Sequence, residues 1–149
     1  LLDSVNMVNA PVVAKERGID VTESINDKVE DYQTLIRGTV TTEKRSRDIA
    51  GTLYGDKSPR IVNIKGISME AEMGPHMLYV TNQDKPGFIG ALGTLLGQDG
   101  INIATFHLGR NEELGEAIAL IEIDSELSAA TVAAVQSLPH VQQVKTLKF

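Results

Sequence analysis

Asn82, Asp84 and the segment Lys85-Pro86-Gly87-Phe88 lie between an apolar run and an apolar helical pattern, and their types suit a small charged ligand. Asp84 is the acidic side chain of this loop. It can cap backbone N–H groups of the coming helix or accept an ammonium. Proline is favoured in a first helical turn, where its missing N–H costs nothing, so Pro86 marks the helix start. Backbone N–H groups near Gly87 and Phe88 then point out of the helix N-terminus, where the dipole attracts a carboxylate. A carboxylate for an ammonium and a helix start for a carboxylate together suit a small zwitterion. A helix start capped by Asp84 and serving no ligand is the other reading of the same residues.

The remaining chemistry-bearing residues point to no catalytic centre and no metal centre. The chain has no cysteine, which removes disulfides, iron–sulfur clusters and thiolate zinc. His76, His107 and His140 are scattered and form no ligand motif; each reads as an ordinary core or surface histidine. The glycines after Pro86 are spaced G-x-x-G-x-x-G, not the G-x-G-x-x-G of a dinucleotide fingerprint, and no P-loop is present. The fragment therefore carries no catalytic residues and no cofactor site of its own.

With 149 residues the chain suffices for one ordinary domain or two small ones. The net charge of −6 disfavours nucleic acid and anionic membrane as partners, since both require a basic face. The dense basic patch Lys44-Arg45-Ser46-Arg47 is flanked by Glu43 and Asp48 and reads as a solvated strand face. No apolar run is long enough to span a bilayer, and no signal-peptide pattern is seen at the start. Leu1-Leu2-Asp3-Ser4-Val5 reads as the tail of an apolar helix without a methionine start, which suggests a fragment of a longer protein.

The elements that must position the loop follow from periodicity and punctuation. Residues 77–81 form a short β-prone run, and the helix after Gly87 continues to about Asp99, with Gly100 as its stop. Phe88, Ile89, Leu92, Leu95 and Leu96 share one face, and Gly87, Gly90, Gly93 and Gly97 roughly the opposite one. An interior glycine costs about 1 kcal/mol relative to alanine. The stripe invites close approach of a helix or ligand, with tolerated exposed glycines as the alternative. A strand over 101–108 and a polar loop over 109–115 follow. The apolar run over 116–124 suits a central strand. Ser128 caps a second helix that reaches Leu138 before Pro139, with Ala129, Val132, Val135 and Leu138 on one face, and 141–147 is the last strand. The order βαββαβ predicts a ferredoxin-like sandwich, four antiparallel strands with two helices on one face.

Upstream, Asn9 or Ala10 starts a short helix with Pro11 in its first turn and Gly18 at its end. Residues 19–24 read as a short strand and 26–31 as a charged loop. Three β-like runs, 32–42, 47–54 and 60–65, are joined by a turn at Glu43-Lys44 and another over 55–59, which predicts an antiparallel meander. Gly66 breaks the third run, and 67–72 reads as a short extended or irregular segment. Met73-Gly74-Pro75 is the best boundary. The expected class is α+β: a small α/β domain with a meander over 1–74, truncated at its N-terminus, and the βαββαβ domain over 75–149.

Asp84-Lys85-Pro86-Gly87, the following apolar helix and Gly100-Ile101-Asn102-Ile103 resemble an ACT domain, the small module that binds amino acids and regulates enzymes of amino-acid metabolism. Asn6-Met7-Val8-Asn9-Ala10-Pro11, Lys15-Glu16-Arg17-Gly18-Ile19 and Asn63-Ile64-Lys65-Gly66 are similar to the segment before the ACT domain in long bacterial D-3-phosphoglycerate dehydrogenases. In that family an intervening, allosteric substrate-binding domain separates the catalytic part from the ACT domain. The resemblance implies a cytoplasmic parent enzyme that oxidises 3-phosphoglycerate with NAD at the first step of serine synthesis. It also implies regulation by L-serine at paired ACT domains, in a homodimer or tetramer.

Carried over by position, the family's serine site falls on Asn82, Asp84 and Asn102. Asp84 would accept the ammonium, N–H groups near Gly87 and Phe88 would face the carboxylate, and Asn102 would reach in from a neighbouring subunit. Asn82 departs from the histidine or tyrosine often found at its position. An anion site in the intervening domain would fall on Arg60 and Lys65, where Ile67, Ser68 and Glu72 add no positive charge. The alternatives are a stand-alone amino-acid sensor, a purely assembling module, or the ACT-bearing part of an L-serine dehydratase.

Overall fold

A computed structural model describes residues 4–25, 32, 34–55, 57–113 and 115–149. The chain divides into two units, 1–31 and 32–149. The fold is α+β, and the larger unit contains two antiparallel sheets. The expected loop over 26–31 lies outside the described residues, as do the first three residues of the expected N-terminal helix tail.

In the first unit, α1 (Ala10–Glu16) begins after Asn9 with proline in its first turn, and Gly18 follows at φ 69°. The expected strand over 19–24 does not form: these residues enter no ladder, and Ile19 and Val21 lie exposed. The local pattern, apolar residues alternating with polar ones, was right for a strand. Among the described residues no neighbouring strand supplies the hydrogen bonds that make one.

The second unit opens with the meander β1 (Ile36–Thr41), β2 (Ser46–Tyr54), β3 (Ser58–Ile64) and β4 (Ile67–Glu72), paired in chain order. The first expected run begins later than anticipated, at Ile36. The segment over 67–72, expected to be short and irregular, is a full strand whose residues alternate buried and exposed. The physical reason lies in the turn before it. Lys65 and Gly66 both take positive φ, 53° and 79°, and Ile64 pairs directly with Ile67. A two-residue turn with both φ values positive matches the twist of a hairpin, so Gly66 reverses the chain rather than ending the sheet.

The second sheet holds β5 (His76–Gln83), β6 (Ile103–Arg110), β7 (Glu116–Ile123) and β8 (Val141–Lys148) in the order β6-β7-β5-β8. Helix α2 (Phe88–Gln98) joins β5 to β6, and α3 (Ala129–Gln136) joins β7 to β8. Ser128 caps α3 as expected, its side chain accepting from the Thr131 N–H. Phe88, Leu92 and Leu96 of α2 and Val135 of α3 pack with Leu78, Val80, Ala119, Ile121 and Val144 in a single core. Ile89, expected on that buried face, is instead 54% exposed. The opposite face of the sheet is covered too: Met77, Ile118 and Leu120 pack against Ile64, Ile67, Met69 and Ala71 of the meander. Burial on both faces explains why β7 reads as a continuous apolar run rather than an alternating one.

Candidate functional site

The candidate loop is held from both sides. At the end of β5 the Gln83 N–H donates to the His140 carbonyl at 3.0 Å, and the Asp84 N–H donates to the Gly115 carbonyl at 2.8 Å. These bonds fix the strand end between the turns that lead into β8 and β7. Gly87 follows at φ 99° as the N-cap of α2, a left-handed conformation that side chains with a Cβ rarely adopt. Pro86 therefore lies in the turn before the helix, not in its first turn. No side chain caps α2. Asp84, expected to be able to do so, turns instead to Arg110 at the end of β6, with Nη1 2.8 Å from Oδ2.

Asn82, Asp84, Gly87 and Phe88 line one cavity of about 320 Å³, together with Leu108, Arg110 and Glu113. Asn82 is 1% exposed. Its Nδ2 donates to the Gln83 carbonyl at 2.9 Å, while its Oδ1 is buried without a hydrogen-bond partner. An unmet buried oxygen costs about 1–3 kcal/mol; Asn82 lines the cavity, and its Oδ1 has almost no exposed surface of its own. The Asp84 carboxylate, with its hydrogen bond and charge, raises the pKa of the exposed Arg110 guanidinium above its ordinary value, and Glu113 adds to the effect.

Asn102 is not part of this cavity. It precedes β6, exposed, with Nδ2 donating to Asp124 Oδ2 at 2.9 Å. Arg110 closes the other end of β6, roughly 26 Å away at the usual strand rise. Arg60 and Lys65 are likewise separated, by roughly 16 Å along β3, and each has a carboxylate partner. Arg60 pairs with Glu72 at 2.5 Å and stacks over Tyr54 at 5.7 Å; Lys65 lies 3.4 Å from Glu116. Lys65 lines a different cavity, between the sheets, of about 280 Å³.

Arg110 was the residue missed from sequence. The signal for it was topological. β5 and β6 both pair antiparallel with β7, so their C-termini lie at the same end of the sheet. The last residue of β6 must then stand near the loop that follows β5.

Residues 1–65 match the family model described as D-3-phosphoglycerate dehydrogenase intervening domain, and residues 76–140 match that of the ACT domain. The chain joins a phosphoglycerate dehydrogenase intervening domain to an ACT domain. Curated relatives named D-3-phosphoglycerate dehydrogenase align over nearly all of it. The Bacillus subtilis protein is 36% identical over 97% of this chain, and the Methanocaldococcus jannaschii protein 31% identical over 100%. The chain spans about a quarter of the length of these relatives, 27% and 28% respectively. The candidate cavity falls wholly within the ACT domain, at the start of its first helix. Among the described residues no helix is long and apolar enough to cross a membrane.

Proposed function

We propose that this chain is the C-terminal regulatory region of an NAD-dependent D-3-phosphoglycerate dehydrogenase, and that its ACT domain binds L-serine or a similar small amino acid. In this reading residues 1–74 form the intervening domain and 75–149 the ACT domain, and oxidation of 3-phosphoglycerate with NAD belongs to the parent enzyme in the cytoplasm. The carrying observation is the cavity at the start of α2. There the buried Asn82, the Asp84 carboxylate and an uncapped helix N-terminus line one space. A free amino acid brings an ammonium and a carboxylate, and each needs a counterpart when it leaves water. Asp84 serves the ammonium, with Asn82 lining the site beside it; the N–H groups at Gly87 and Phe88 serve the carboxylate.

Asn102, at the far end of β6, would take part only across a subunit boundary, from a second ACT domain in a homodimer or tetramer. Side-by-side pairing of sheets supplies partners for the edge strands β6 and β8. A purely assembling role is the second reading, and the Asp84–Arg110 pair favours it, because the carboxylate already has a cation. Neither reading involves nucleic acid or membrane as a partner. Calorimetric titration of the chain with L-serine, glycine and L-alanine separates the two readings. Saturable heat with serine supports the sensor; no heat at millimolar serine from a verified dimer leaves the assembly role.

A further inference from the structure

Arg110 has no role in the ligand site as described so far, yet it stands at the cavity with its guanidinium against Asp84. The two halves of this pair differ. The arginine side chain is 57% exposed and the Asp84 side chain 20% exposed. Asp84 is anchored through its backbone to Gly115, and Arg110 ends the edge strand β6, opposite Ala117 of β7, with its side chain lining the cavity. Asn82, which lines the same cavity, has its Oδ1 buried without a partner.

We propose that Arg110 is the specificity-determining residue of this site: it receives the carboxylate of the bound amino acid and so selects zwitterions over simple amines. The inference rests on the reading of the cavity as an amino-acid site. The physical argument is an exchange of partners. With no ligand bound, Asp84 is neutralised by Arg110. An amine without a carboxylate must take Asp84 from the guanidinium and offers the guanidinium nothing. A zwitterion replaces the one ion pair with two, its ammonium on Asp84 and its carboxylate on Arg110. The planar guanidinium can hold a carboxylate through two parallel N–H donors. The uncapped start of α2 lines the same cavity and faces the same carboxylate. A cavity of about 320 Å³ lies near the lower end for small-molecule sites, which suits an amino acid with a short side chain.

The test compares L-serine with L-serinamide, which lacks the carboxylate, by calorimetry on the whole chain and on Arg110→Gln and Arg110→Lys. The parent should bind serine at least tenfold more tightly than serinamide. Arg110→Gln should weaken serine tenfold or more and leave serinamide unchanged or tighter, erasing the preference. Arg110→Lys, which keeps the charge but loses the fork, should retain part of it. The melting temperature of each variant reports its folding. A parent that binds serine while Arg110→Gln binds it equally well, or keeps the preference, overturns the proposal. So does a folded Arg110→Gln that loses both ligands alike. A parent that binds neither ligand removes the amino-acid reading itself, and this assignment with it.

Discussion

Asp84 couples a nearly neutral effect on stability to a large effect on binding, and that contrast is testable. Its partner Arg110 is well exposed, and exposed ion pairs contribute about 0–1 kcal/mol. Asp84→Ala should therefore change unfolding free energy by less than about 1 kcal/mol. The same substitution leaves a ligand ammonium without its counter-charge, a loss of about 2–5 kcal/mol for a desolvated pair. Denaturant unfolding and serine calorimetry on one preparation check both halves; a large stability loss with unchanged binding would assign Asp84 to the scaffold. The sequence made four members of this cavity legible, Asn82, Asp84, Gly87 and Phe88, because they are neighbours along the chain with recognisable loop chemistry. Arg110 was not legible by the same means. It lies 26 residues from Asp84 and reaches it only through the sheet topology. The partner choice of Asp84 was hidden for the same reason: a carboxylate before a helix caps it unless a cation stands closer.

At the scale of elements, two glycines make opposite predictions. A Cβ at Gly109 in β6 would stand 2.6 Å from the Ser68 carbonyl oxygen and 2.7 Å from Ile67 Cγ2, so the two sheets approach too closely for any side chain there. Gly109→Ala should destabilise the chain by about 1–3 kcal/mol, the usual cost of overpacking, read from the shift in urea midpoint. A Cβ at Gly93 in α2 would meet nothing within 4 Å. Gly93→Ala should stabilise the chain by up to about 1 kcal/mol through helix propensity alone; a weakened dimer in the same variant would instead reveal a partner packed on that face. The βαββαβ order and the capped α3 were readable from periodicity and punctuation, since α2 stops before Gly100 and α3 starts at the Ser128 cap. The errors fell where pairing decides. Residues 19–24 have a strand-like pattern and no partner strand, and Ile67–Glu72 became a strand because a two-residue turn folded it back on β3. Neither fact is local to the residues concerned.

At the scale of the whole molecule, the ACT sheet is enclosed on both faces, by α2 and α3 on one and the meander on the other. Its remaining exposed backbone lies at the edges β6 and β8. Pairing of two copies along an edge would bring the Asn102 of one chain towards a cavity it cannot reach in its own. The serine site would then depend on protein concentration, with affinity falling on dilution to monomer. Binding of a small amino acid at the start of α2 is read by amide nuclear magnetic resonance of the whole chain titrated with L-serine. Saturable shifts are expected at residues 84–90 and 108–113, joined by Asn102 only at concentrations where the chain is dimeric. Shifts confined to the inter-sheet cavity around Lys65, or no shifts at millimolar serine from a dimer, would contradict it.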